Sequence, residues 1–78
     1  MNIEELRTKL TEAGIPESHY CLTGGLPNEA YCIEHAQDGK WHTYYSERGL
    51  RSDLQRFDTE HDACRSIYEM IISDSQLL

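Results

Sequence analysis

The sequence predicts an α+β domain, an antiparallel three- to four-stranded sheet with an N-terminal and a C-terminal helix packed on one face. Apolar residues recur at helical spacing at both ends of the chain, while aromatic, β-favouring runs fill its middle. Two of those runs flank Asp38-Gly39, a pair suited to a tight hairpin turn.

Ile3, Leu6, Leu10 and Ala13 share one stripe, which predicts a first helix over about residues 3–13. Asn2 is placed to cap it and Glu5 to reach back in a capping box; Gly14 and Ile15-Pro16 stop it. Ser18 to Thr23 is short, aromatic and β-prone, and reads as a first strand ending at the turn formers Gly24-Gly25-Leu26-Pro27-Asn28. Ala30 to His35 and Trp41 to Ser46 read as a hairpin with a type I′ turn at Asp38-Gly39.

With that turn, Ile33 lies opposite Tyr44, Cys32 opposite Tyr45 and His35 opposite His42. One face then carries Tyr31, Ile33 and Tyr44, the other Trp41, Tyr45 and Cys32, with one face on the core and one toward solvent. A register error of one residue would exchange them. Leu50 to Phe57 is expected to return as a further strand anchored by Leu54 and Phe57, whose spacing calls for a bulge or a late start. Thr59 reads as an N-cap, and Ala63, Cys64, Ile67, Tyr68 and Ile71 predict a second helix over about residues 60–72, with Ser73 to Leu78 as a frayed tail.

A chain of 78 residues can build one core, so residues 1–78 are expected to form one domain. Its 14 acidic and 7 basic side chains give a formal charge of −7, which repels nucleic acid and anionic lipid and attracts basic partners. Direct nucleic-acid binding and membrane association are therefore not expected. No apolar run approaches the roughly 20 residues of a membrane span, and Met1-Asn2-Ile3-Glu4-Glu5 does not resemble a secretory signal, so the expected location is the cytoplasm. Cys21, Cys32 and Cys64 lack any Cys-x-x-Cys spacing and read as reduced packing residues.

Candidate chemistry is sparse. His35 and His42 are possible cross-strand neighbours, yet two imidazoles without a spaced carboxylate or thiolate do not make a tight metal site. The cysteines lie in apolar segments, where a thiol is usually inert. Thr23 to Asn28 lacks the glycine frame and the lysine of a phosphate loop. No catalytic residue, metal or cofactor is therefore expected. Tyr44, Tyr45, Glu47 and Arg48 instead combine the residue types enriched at interface centres, and Asp53, Asp58, Glu60 and Asp62 offer an acidic rim, although acids also suit a helix start.

Three stretches carry a resemblance: Gly24 to Glu34, Trp41 to Gly49, and Phe57 to Glu60 with Ala63-Cys64. Over roughly residues 3–72 the chain resembles small bacterial immunity proteins of contact-dependent growth inhibition and polymorphic-toxin systems; the likeness is one of fold and turn patterns. It implies a protein that binds and neutralises a cognate toxin C-terminal domain, a basic nuclease and within that class an EndoU-like ribonuclease. The competing readings are a cytosolic regulatory or adaptor domain and a small His/Cys-dependent enzyme.

Overall fold

The computed structural model describes residues 1–76, and both helices arise where the local signals place them. Helix α1 spans Ile3–Glu12; the Asn2 side chain accepts the Glu5 N–H at 2.9 Å. At its end Gly14 has φ 77° and the Ile15 N–H returns to the Leu10 carbonyl at 3.0 Å, a left-handed stop that glycine adopts without strain. Helix α2 spans Glu60–Gln76, with the Thr59 hydroxyl accepting the Asp62 N–H at 3.2 Å. It continues through Ser73 to Gln76, where a frayed tail was expected. Tertiary contact accounts for this, because Ser73 and Asp74 lie beside Tyr31 of the sheet. Leu77 and Leu78, also assigned to that tail, lie outside the described residues.

The sheet has four strands in the order β1 (Tyr20–Cys21), β2 (Ala30–His35), β3 (Trp41–Glu47) and β4 (Leu50–Phe57). Strands β2, β3 and β4 are antiparallel as predicted, but β1 pairs parallel with β2 through Tyr20↔Tyr31 and Cys21↔Cys32. The sheet is therefore mixed. A parallel pair needs a crossover instead of a hairpin, and Leu22 to Glu29 supplies it by passing over one sheet face. The first strand is also shorter than expected, since Glu17–His19 forms a single 3₁₀ turn.

Turn chemistry sets the register one residue away from the expected pairing. Cys32 faces Tyr44, Ile33 faces Thr43, and His35 faces Trp41. Around Gln37-Asp38-Gly39 the Gly39 N–H donates to the Ala36 carbonyl at 3.0 Å, and only Gly39 has positive φ (85°). That is a type I turn followed by a glycine bulge, which has a longer loop than type I′. The type I′ geometry occurs at Arg48-Gly49, with φ of 52° and 77° between the paired Glu47 and Leu50. Gly39→Val should still destabilise the fold by about 1 kcal/mol or more, because a β-branched residue is strained at positive φ. Chemical denaturation checks this, and an unchanged midpoint would contradict the turn.

Strand β4 runs the full predicted length with a bulge instead of a late start, the pairing shifting between Thr43 and Tyr45 where Asp53 takes φ 55°. Phe57 packs on the core as an anchor, whereas Leu54 is 42% exposed and anchors nothing.

Both sheet faces are covered, each by a different element. On one side Leu6, Leu10, Ile33, Ala63, Cys64, Ile67 and Ile71 form the core, flanked by Tyr31, Trp41 and Phe57. The opposite face carries Cys32, Tyr44 and Ser46, all buried, where solvent-facing aromatics were expected. The Gly24 to Pro27 loop covers it: the Tyr44 hydroxyl donates to the Gly25 carbonyl and the Ser46 hydroxyl to the Pro27 carbonyl, both at 2.6 Å. The aromatic sets predicted for the two faces consequently change: Tyr45 joins Tyr31, Ile33 and Trp41 on the helix side, and Tyr44 joins Cys32 on the loop side.

Thr43 is fully buried among the helix-side residues, and its hydroxyl has no hydrogen-bond partner. A buried unsatisfied hydroxyl costs about 1–3 kcal/mol, and valine has nearly the same shape. Thr43→Val should therefore raise the melting temperature; a fall would show that the hydroxyl is satisfied in solution.

Candidate functional site

The structure gathers four of the eight predicted interface residues at one end of the sheet. Tyr45 and Glu47 close β3, Arg48 sits in the turn, and Asp53 forms the β4 bulge. Asp58, Glu60 and Asp62 lie at the opposite end, near Trp41, which pairs with Phe57. Along β3, at ~3.3 Å per residue, Glu47 lies about 20 Å and Tyr45 about 13 Å from Trp41.

Two residues of the second group are engaged inside the chain. Asp58 pairs with Lys40, whose hydrogen bond lowers the Asp58 carboxyl below its ordinary range, and Glu60 accepts the Ile3 N–H at 2.8 Å. Asp62 is exposed.

Tyr44 and Tyr45, adjacent in sequence, face opposite sides of the sheet. Tyr44 is fully buried, and burial pushes its hydroxyl up to about 12. Arg51 lies over its ring, 4.5 Å from the centroid, and donates to Glu34 at 3.0 Å. Of the two, only Tyr45 is partly exposed.

Tyr45 stands beside Tyr31 in the register, and their rings meet edge to face with centroids 5.0 Å apart. Acids surround the pair. Partial burial and then the Asp74 carboxylate raise the Tyr31 hydroxyl, with Asp53 adding to the effect. The Tyr45 hydroxyl is raised as well, by desolvation first and then by the Glu47, Glu29 and Asp74 carboxylates. Carboxylates from β3, β4, α2 and the loop before β2 thus act on one aromatic pair, the reverse of what a nucleic-acid surface presents.

Tyr31, Glu29 and Asp74 were missed by sequence reasoning. Tyr31 is visible as an aromatic strand residue, but the expected register places it on a face with Tyr44 instead of Tyr45. Asp74 lay beyond the predicted helix end, and only the fold brings it to Tyr31.

His42 lies 3.2 Å from Asp38, and His35 stacks on Trp41 with ring centroids 4.4 Å apart. Burial pushes the Cys32 and Cys64 thiols up to about 11, so both stay protonated near neutral pH. Among the described residues no three His, Cys, Asp or Glu side chains are grouped to hold a metal ion, and no helix is long and apolar enough to cross a membrane. Compared with protein-family models, curated proteins and solved structures, the chain matches none.

Proposed function

We propose that the protein is an immunity protein, which binds and neutralises a cognate toxin domain in the bacterial cytoplasm. The observation that carries this reading is the Tyr31–Tyr45 pair with Glu29, Glu47, Asp53 and Asp74 around it. An aromatic centre within an acidic rim suits the basic cleft that a nuclease needs for its substrate. The net charge of −7 supports the same partner, and the resemblance of Gly24 to Glu34 and Trp41 to Gly49 narrows it to the toxin domain of a contact-dependent effector, with an EndoU-like ribonuclease as the favoured class.

Co-expression with the toxin domain encoded beside this protein is the direct test. The expected result is restored growth and a 1:1 complex that co-purifies. Persistent toxicity, with no complex, would refute the proposal.

The two parts of the surface should differ kinetically. Glu47→Lys with Asp53→Lys should slow association, by a factor that shrinks as salt rises, because exposed charges act over a Debye length of about 10 Å at 0.1 M. Tyr45→Ala should instead speed dissociation and weaken the complex by roughly 2 kcal/mol. Surface-based kinetics across a salt series separate these effects. Association indifferent to salt and to both reversals would exclude electrostatic capture.

A further inference from the structure

The half of α2 that reaches the acidic end overhangs the sheet without filling the space beneath it. Its buried stripe, Ala63, Cys64, Ile67 and Ile71, enters the core. The adjoining stripe faces β4, where Gln55 rises toward it and takes a 3.5 Å hydrogen bond from the Ser66 hydroxyl. The gap is an open groove of about 440 Å³ lined by Tyr31, Gln55, Ser66, Glu69, Met70 and Asp74, among others.

The lining has a particular chemistry. The Tyr31 ring and the Met70 side chain are apolar surfaces, Glu69 and Asp74 are carboxylates, and among the described residues no Lys or Arg lines the groove. Arg65 approaches Glu69 only at 3.8 Å, with both side chains more than half exposed, so Glu69 keeps most of its capacity to accept.

We infer that this groove receives an arginine side chain projecting from a basic protein partner; the inference rests on the proposed neutralisation of a basic domain and names the contact within it. A guanidinium is flat, weakly hydrated and stacks on aromatic and thioether surface, while its fork of donors can serve separate carboxylates. A lysine ammonium offers the charge without the plane. An anionic ligand would meet two carboxylates, and a second copy of this chain would bring its own charge of −7 against the same acids.

The test uses the whole protein, ¹⁵N-labelled, and the acetylated, amidated peptide Gly-Arg-Gly-Arg-Gly as probe, with versions carrying lysine or uncharged citrulline in place of arginine. Amide shifts are expected at Tyr31, Gln55, Glu69, Met70 and Asp74. Affinity should fall about threefold or more for lysine and further for citrulline, and roughly tenfold for Glu69→Gln with Asp74→Asn. Glu4→Gln with Glu5→Gln, on the outer face of α1, should leave it unchanged. The dispersion of each spectrum reports that the variant is folded, and Glu69→Gln alone serves if the double variant is not.

Shifts centred on α1 or spread evenly over the surface would overturn the inference, as would equal binding of the citrulline peptide. Shifts at the groove on dilution without peptide would overturn it in favour of a second copy. Neutralisation without arginine binding in the groove refutes this contact alone, and arginine binding without neutralisation refutes the proposed function alone.

Discussion

Tyr44→Ala is expected to cost about 3–5 kcal/mol, the range for removing a fully buried aromatic side chain. A domain of this size is stable by only roughly 4–12 kcal/mol at ~0.05–0.15 kcal/mol per residue, so the variant should be largely or wholly unfolded at modest denaturant. The size of the effect follows from what Tyr44 joins. Its ring is fully buried under the Gly24 to Pro27 loop, its hydroxyl holds the Gly25 carbonyl at 2.6 Å, and Arg51 lies over it. The loop is otherwise held by the Ser46 hydroxyl on the Pro27 carbonyl and by the Cys21 thiol on the Gly24 carbonyl at 3.1 Å. Tyr44→Phe keeps the ring and should lose only about 1 kcal/mol with the hydrogen bond. Urea denaturation of both variants decides the matter. An alanine variant within 1 kcal/mol of the parent would mean that the loop does not pack on this face in solution.

Gly24→Val should be nearly as severe, by a different mechanism. At φ 80° the backbone is left-handed, and a Cβ there would lie 2.5 Å from Glu34 Oε2 and 2.7 Å from Glu34 Cβ. The carboxylate could rotate, but its Cβ is fixed to strand β2, so the loop itself must lift. Lifting it disturbs the Arg51–Glu34 pair and the cover over Tyr44. Backbone strain of about 1–2 kcal/mol and overpacking of about 1–3 kcal/mol combine to a loss of roughly 3 kcal/mol. Gly25→Ala separates the two contributions. Gly25 also has φ 87°, but a Cβ there meets nothing within 4 Å, so about 1 kcal/mol is expected. Equal losses for the two variants would show that the approach to Glu34 is not close.

Neither residue was legible as a keystone. The glycine loop is legible as backbone geometry, with positive φ at Gly24 and Gly25, but nothing local says which face it covers. Tyr44 and Tyr45 carry the same side chain at adjacent positions, and their opposite fates depend on which sheet face α2 packs against. The hairpin was recognised from Asp38-Gly39, yet the turn takes an extra residue and so exchanges the predicted positions of the two tyrosines. A motif that identifies a turn does not by itself count its residues. The parallel β1 pairing was similarly hidden, since it depends on where a crossover loop lands and not on the two residues that pair.

Interactions within a few residues dictate two capped helices with apolar stripes at Leu6, Leu10, Cys64, Ile67 and Ile71, strands β2 to β4 with a bulge, and an acidic surface. Capping, periodicity and charge act within a few residues or require no contact at all, so they can be read along the chain. Tertiary structure decided the register, the loop cover over Tyr44 and the meeting of Tyr31, Tyr45, Asp53 and Asp74. These depend on how distant elements share one core. A displacement of one residue, small beside the energy of burying either face, is enough to change which side chains a partner can touch.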